Sequence, residues 1–288
     1  MESIKDYLAL TKPRITWLIL MSTAVGFYFG RIPAGPRPEL FDNLIHLLLG
    51  TAFIASGTAA LNQWYERGHD GLMHRTATRP LPSGKLEPVR ALVFGIILAL
   101  IGFFELSLGC NWLTGFLGLF TLATYLFLYT PLKRISPHST TIGAIPGAMP
   151  PLIGFAAATG NLMLEAWALY ALLFVWQFPH FYAIAWMYKD EYARAGIKML
   201  PVVSPNMDST AKSILWTSVA LIPTSLAPVA LSMSGNVYLA VALIMGAVFL
   251  YTAWQLYNNR TAQKARAVLL ASVVYLPVLY ATLIFAPR

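Results

Sequence analysis

Apolar residues run along this chain in long uninterrupted stretches rather than in the alternating or 3.6-residue patterns of a soluble domain. A helix that crosses a hydrocarbon layer of roughly 30 Å needs about 20 mostly apolar residues at 1.5 Å per residue. Nine windows meet or approach that length: Arg14–Gly30, Leu44–Asn62, Val89–Leu108, Trp112–Thr130, Thr141–Thr159, Ala166–Tyr188, Ser213–Met233, Val237–Tyr257 and Ala267–Ala286. The first opens on Lys-Pro-Arg and lacks a small-residue cleavage site, so it reads as a span rather than a secretory leader. The windows fill the chain and leave no room for a separate soluble domain. The expected fold is therefore all-α, a polytopic transmembrane helical bundle of about nine helices.

Composition agrees. Of the 288 residues 57% are hydrophobic and 11% charged, against about 25% charged in a soluble domain. Mean hydropathy is +0.62. A soluble enzyme and a nucleic-acid binder are both excluded by this balance, and the net charge of +8 is explained by topology. Basic residues in short loops mark the cytoplasmic side. With the amino terminus inside, 17 of the 20 Lys and Arg fall in inner segments, leaving Arg31, Arg37 and Arg288 outside. The expected orientation has the amino terminus in the cytoplasm and the carboxyl terminus outside, in a cell membrane of the bacterial inner-membrane kind. The lone Cys110, in a short outer turn, excludes an intramolecular disulfide.

Two inner connections are long, Gln63–Pro88 and Lys189–Lys212. Their similar setting hints at pseudo-repeat halves near 14–130 and 141–257 within one domain spanning 1–288. Prolines at 146, 150, 151, 179, 223, 228 and 277 fall inside apolar windows. Each removes a backbone donor, and such breaks persist in a membrane where neighbours or a polar cavity satisfy the freed carbonyls. Bent helices around a central cavity, open to the cytoplasmic side, are the expected result.

The chemistry gathers at the long connections. Asn62, Glu66 and Asp70 are spaced by four, which places three oxygen ligands along one helical stripe. Mg2+ favours one or two carboxylates and completes its shell with phosphate and water; a solvated acidic stripe is the plain alternative. Arg75, Arg79 and Lys85 follow, in a run that includes Arg79-Pro-Leu-Pro-Ser-Gly84. Guanidinium forks suit phosphate oxygens. The second connection carries Lys189, Asp190, Arg194 and Lys198, where Asp190 and Arg194 could equally form an ordinary i, i+4 ion pair. Two such mouths would hold a Mg2+–diphosphate. His180 and Gln177 lie deep in the sixth window and are candidates for an acceptor pocket, with a packing role as the rival. His69 and His74 look like loop histidines, and His46 and Glu105 look structural.

Taken in order, several segments resemble the intramembrane prenyltransferases of the UbiA superfamily along nearly the whole chain. They are Thr11-Lys-Pro-Arg14, Asn62-xxx-Glu66-xxx-Asp70 with Arg75-Thr76, Arg79-Pro-Leu-Pro-Ser-Gly84, Tyr129-Thr-Pro-Leu-Lys133-Arg134, and Tyr192-Ala-Arg-Ala-Gly196 ending in Met199-Leu-Pro201. Glu66 stands where the superfamily usually has an aspartate, and Arg194 stands four after Asp190 where it has a second aspartate. Those departures resemble the heme-modifying branch. The resemblance implies a Mg2+ cofactor with Asn62, Glu66, Asp70 and Asp190 as metal and catalytic ligands. It implies diphosphate contacts from Arg75, Arg79, Lys85, Lys189, Arg194 and Lys198. It also implies farnesyl diphosphate as donor and a vinyl group of heme b as acceptor, giving heme O for a terminal oxidase. A heme A synthase or the terminal-oxidase assembly would be the protein partner. Trp64, Tyr125, Tyr129, Phe178 and Tyr182 are aromatic candidates for stabilising an allylic cation. The rivals are an aromatic or quinone-precursor acceptor and, from another class, a transporter. A transporter should put ionisable groups near the midplane, whereas here they crowd one membrane face and only His180 and Gln177 lie deep.

Overall fold

The computed structural model describes residues 3–35, 39–204 and 206–286; Arg37 and Arg288, two of the three basic residues expected outside, fall beyond them. Every element among the described residues is helical. Nine helices there are long and apolar enough to cross a membrane: Pro13–Ala34, Leu40–Asp70, Pro88–Gly109, Trp112–Leu132, Ser139–Thr159, Leu164–Met187, Asp208–Ala230, Asn236–Asn258 and Ala262–Phe285. This is a multi-pass membrane protein.

A short α1 (Ile4–Leu10) precedes α2 (Pro13–Ala34), α3 (Leu40–Asp70) and α4 (Pro88–Gly109). Next, α5 (Trp112–Ala123) runs into a π-helical segment, Thr124–Tyr129, and then the single turn α6 (Thr130–Leu132). The fifth span is broken into α7 (Ser139–Gly147) and α8 (Pro150–Thr159), because Pro146, Pro150 and Pro151 withhold three amide donors within six residues. The chain continues through α9 (Leu164–Met187), α10 (Lys189–Arg194), α11 (Leu200–Val203), α12 (Asp208–Ala230), α13 (Asn236–Asn258) and α14 (Ala262–Phe285).

The main departure from the hydropathy reading is at α3. The sequence ends this span at Asn62, yet the helix continues for two more turns to Asp70. Hydropathy reports where apolar residues stop; the backbone continues because the polar residues that follow are good helix formers with no Pro or Gly before Gly68. The long connection is thereby shortened to residues 71–87.

The chain forms two compact units. The first comprises Met1–Leu132, Met149–Leu162 and Arg194–Gly196, the second Lys133–Ala148, Met163–Ala193 and Ile197–Arg288. In the first, α3 packs along α4 and α2 along α8. Small residues permit this closeness, as expected where lipid provides no apolar driving force between helices. A Cβ on Gly26 would collide with the Pro151 carbonyl, and one on Gly154 with that of Thr23. In the second unit α9 is the hub for α7, α12 and α14. Side chains bridge neighbouring helices here: the Trp176 indole of α9 donates to the Ser272 carbonyl of α14 at 2.9 Å, five residues before Pro277. Tyr238 on α13 donates to the Ser225 carbonyl of α12 at 2.8 Å, beside Pro228.

Candidate active site

The cytoplasmic expectation for the first long connection centres on α3, and the side chains there are interlocked. Asn62 is 1% exposed. Its Nδ2 donates to Glu66 Oε2 at 2.9 Å and to Thr130 Oγ1 at 3.3 Å. Its Oδ1 accepts from Lys12 Nζ at 3.2 Å. Thr130 in turn donates to the Tyr125 carbonyl, five residues back, at 2.8 Å, a bond that the π-helical stretch makes available. Such stretches recur at functional sites because they re-aim side chains that a regular helix would point elsewhere.

Lys12 arrives by an unusual route. It caps the start of α2 in the left-handed region, φ 47°, a conformation that costs a non-glycine residue roughly 1–2 kcal/mol. Pro13 after it disfavours the right-handed alternative. The preceding turn is fixed by Gln63, which lies beside Asn62 and donates from Nε2 to the Leu10 carbonyl at 2.9 Å. Local strain is thus held by tertiary hydrogen bonds, and the ammonium reaches the amide oxygen of the stripe.

One turn beyond Glu66, Asp70 is 2% exposed and accepts from Arg79 Nη1 at 2.7 Å. The Thr76 hydroxyl donates to the Asp70 carbonyl at 2.7 Å. The Pro-Leu-Pro-Ser-Gly run then turns back on itself: Ser83 Oγ donates to the Arg79 carbonyl at 2.7 Å, and Leu81 and Leu86 are buried against Leu10, Ala60 and Ala91. Arg79 is therefore held from both sides. Arg75 is exposed nearby in sequence. Lys85 is not part of this group; it lines a separate open groove with Tyr7, Leu81, Glu87 and Arg90.

The second connection is built differently. Its α10 ends through Gly196, whose φ of 68° allows the Ile197 amide to reach the Tyr192 carbonyl at 2.9 Å. That is the glycine-terminated helix end in which the backbone reverses hand. Asp190, Arg194 and Lys198 are exposed, and Lys189 is half-buried. Among the described residues Asp190 and Arg194 form no ion pair, so the plain i, i+4 reading is not realised. The Lys198 amide donates to the Lys133 carbonyl at 2.8 Å, which sets two basic segments side by side.

The two acceptor-pocket candidates each hydrogen-bond to a neighbouring helix. Gln177 is buried, and its Nε2 donates to the carbonyls of Ala144 at 3.2 Å and Leu173 at 3.1 Å, bracing α7 against α9. His180 Nδ1 lies 2.8 Å from Ser272 Oγ; that hydroxyl donates to Leu269, so the ring donates to it. Trp64 packs against the cluster of Leu10 and Ala60 with the Arg67 guanidinium 5.0 Å from its ring. Tyr125 and Tyr129 sit on the π-helical segment with ring centroids 5.1 Å apart, and Phe178 and Tyr182 share α9 at 6.2 Å.

Three groups escaped the sequence reading: Lys12, Thr130 and Lys133. Thr11-Lys-Pro-Arg14 was a signal for the first, and Tyr129-Thr-Pro-Leu-Lys133 for the other two. Neither segment carries the metal-ligand spacing that drew attention to α3.

The donor set suits Mg2+, which takes hard oxygens and leaves places for phosphate and water. Successive members of the stripe rise by about 6 Å along the helix, so an ion would be shared by neighbours rather than by all three residues. Among the described residues no three His, Cys, Asp or Glu gather as a complete cage.

A multi-pass helical fold with an oxygen-rich stripe and flanking cations defines a class, and comparison with known proteins gives it a name. The UbiA prenyltransferase family matches residues 19–276, and the chain belongs to this family. It is 59% identical over 282 residues to the protoheme IX farnesyltransferase of Solibacter usitatus, covering 96% of this chain and 97% of that one. It is 44% identical over 287 residues to the enzyme of that name from Koribacter versatilis, covering 97% and 92%. In fold it is similar to a digeranylgeranylglyceryl phosphate synthase, with a TM-score of 0.81, 18% identity and coverage of 99% and 98%. A UbiA homolog from Archaeoglobus fulgidus, bound to GPP and Mg2+, superposes with a TM-score of 0.64 at 17% identity, covering 97% and 99%.

Proposed function

We propose that this chain transfers the farnesyl group of farnesyl diphosphate to a vinyl group of heme b and that water then adds to the resulting benzylic-type cation, giving heme O, diphosphate and a proton. The observation that carries this reading is the 59% identity to a protoheme IX farnesyltransferase over 97% of that protein's length. The polar stripe on α3 supports it chemically.

Glu66 and Asp70, with Asn62 beside them and Asp190 from the second connection, are the residues that would hold Mg2+. When bound, Mg2+ would neutralise charge on the diphosphate as the allylic C–O bond breaks. The chain's own groups do the rest. Arg79 is fixed by Asp70 and Ser83 and offers its remaining donors to phosphate oxygens in a preset orientation; donors that need no reorganisation stabilise developing charge best. Arg75 adds a second guanidinium. Lys189, Arg194 and Lys198 contact the diphosphate directly, because the position four after Asp190 holds a cation rather than a ligand. Lys12 keeps the Asn62 amide oriented toward Glu66. Apolar helix walls exclude water from the prenyl cation until the vinyl carbon has attacked, and an aromatic face, that of Tyr125, Tyr129, Phe178 or Tyr182, would stabilise it. Gln177 and His180 serve the acceptor side by bracing α9 against α7 and α14. We place the amino terminus in the cytoplasm and the protein in the cell membrane, supplying a heme A synthase or the terminal-oxidase assembly.

The test is an acceptor panel. Purified protein in lipid nanodiscs receives farnesyl diphosphate, Mg2+ and either heme b or an aromatic quinone precursor, and products are identified by mass spectrometry. Heme O from heme b alone is expected. Prenylation of the quinone precursor in preference to heme would overturn the assignment.

A further inference from the structure

The connection between α3 and α4 carries one cation that stands apart from the polar stripe. Lys85 is exposed, makes no ion pair among the described residues, and lines an open groove with a volume of about 890 Å³. One wall of the groove is α1, through Ile4 and Tyr7; the other is the turn into α4, through Lys85, Glu87 and Arg90. Both walls belong to the same compact unit. The short α1 immediately precedes the span Pro13–Ala34, and the second wall opens the span Pro88–Gly109. The groove therefore lies at the membrane surface, where the first and third spans enter from one side.

Its walls are braced. Gly84, at φ 71°, closes the turn so that the amides of Lys85 and Leu86 both donate to the Pro80 carbonyl, at 2.9 and 3.2 Å. Leu86 is buried and anchors that turn from beneath. The Tyr7 ring meets Phe94 of α4 edge-on, with centroids 5.1 Å apart, which holds α1 beside α4.

Charge and surroundings select the occupant. Two cations and one carboxylate line the groove, with Glu87 Oε2 accepting from Arg90 Nε at 2.9 Å. The sum is one net positive charge, which matches the single negative charge of a phosphodiester rather than the several of a diphosphate. Ile4 on one wall is 81% exposed and Val89 on the other 61%. Apolar residues exposed at the level of the headgroups sit against acyl chains, so the phosphate source is a lipid. Basic pockets between membrane helices hold anionic lipid headgroups in this way.

We propose that the groove between α1 and the start of α4 binds the phosphodiester of an anionic phospholipid with an uncharged headgroup, of the phosphatidylglycerol kind, with Lys85 as its principal contact. This site is separate from the polar stripe and does not depend on the transfer reading. It bears on α1, which leads directly into Lys12.

The experiment places the full-length protein in nanodiscs of phosphatidylcholine with or without phosphatidylglycerol. It reads amide hydrogen exchange and the lipids that stay bound in native mass spectrometry. Wild type should retain phosphatidylglycerol in preference, with slower exchange at residues 4–10 and 84–91 when that lipid is present. Lys85→Ala should lower retention by about fivefold, the loss expected for one basic contact at a lipid surface, and Lys85→Glu should abolish the preference. Arg266→Glu, an exposed position on α14, should leave it intact. Equal losses in Lys85→Glu and Arg266→Glu would show general surface attraction and overturn the proposal. Unchanged retention in Lys85→Glu would overturn it too, as would displacement of the lipid by inorganic phosphate, which marks a soluble-anion site. Should Lys85→Glu weaken farnesyl diphosphate affinity with lipid retention intact, the groove is a diphosphate site and the lipid assignment fails. If the Lys85 variants do not fold, wild type decides alone: identical exchange at 4–10 and 84–91 in the two lipid mixtures would refute the proposal.

Discussion

The two polar connections present similar residue types in opposite states of readiness. At the end of α3 the carboxylates and their partners are already engaged: Asn62 with Glu66 and Lys12, and Asp70 with Arg79, both anchors almost wholly buried. On and after α10, Asp190, Arg194 and Lys198 stand exposed and make no ion pair with one another among the described residues. A pre-organised site gives up little entropy when it binds, whereas exposed long side chains lose about 0.5–1.5 kcal/mol each on immobilisation. The first region is therefore suited to fix geometry, and the second to close on a ligand that has already arrived.

The largest effect should come from the buried end of that comparison. Asp70→Asn keeps the volume and an acceptor for Arg79 but removes the charge, and should lower turnover by about 10²–10³-fold with the protein still inserted. Heme O formation by mass spectrometry and size-exclusion profiles in detergent would measure both. Arg194→Ala comes next: loss of a charged hydrogen bond worth about 1.5–3 kcal/mol should weaken farnesyl diphosphate binding by roughly 10- to 100-fold, with Arg194→Lys intermediate because it keeps the charge but not the fork. If Arg194→Ala binds like wild type, the exposed cations are only solvated surface. Lys12→Met should cost about tenfold in turnover and leave helix content unchanged, since it frees Asn62 without unfolding α2.

The smallest effect should be at Cys110, remote from both regions. Burial, reinforced by the Glu105 carboxylate, pushes its thiol up to about 12, so it remains protonated and unreactive below that pH. Cys110→Ser should retain full activity, and maleimide should label wild type slowly at pH 7–8. Rapid labelling with loss of turnover would mean that the chemistry lies at the wrong end of α3.

Much of this was legible in the chain. All nine spans follow from hydropathy and length, and the spacing of Asn62, Glu66 and Asp70 placed them on one stripe before α3 was seen to continue through them. Other features depend on contacts that no spacing reveals. Lys12 reaches Asn62 across 50 positions because Gln63 pins the preceding turn. Thr130 faces the stripe because of a π-helical register. Trp64 packs against the Leu10 and Ala60 cluster, a contact between distant positions. Gln177 and His180 were legible as deep polar residues of a membrane helix, but their partners, Ala144 of α7 and Ser272 of α14, were not.

The difference between the two regions is tested most directly by titrating Mg2+ against Glu66→Gln and Arg194→Ala while measuring turnover and farnesyl diphosphate affinity. On the proposed roles, Glu66→Gln would weaken an ion ligand and should be partly restored at high Mg2+, whereas Arg194→Ala would remove a direct phosphate contact and should not be. If excess Mg2+ rescues Arg194→Ala as fully as Glu66→Gln, the exposed region also works through a metal, and the division of labour drawn between the two is wrong.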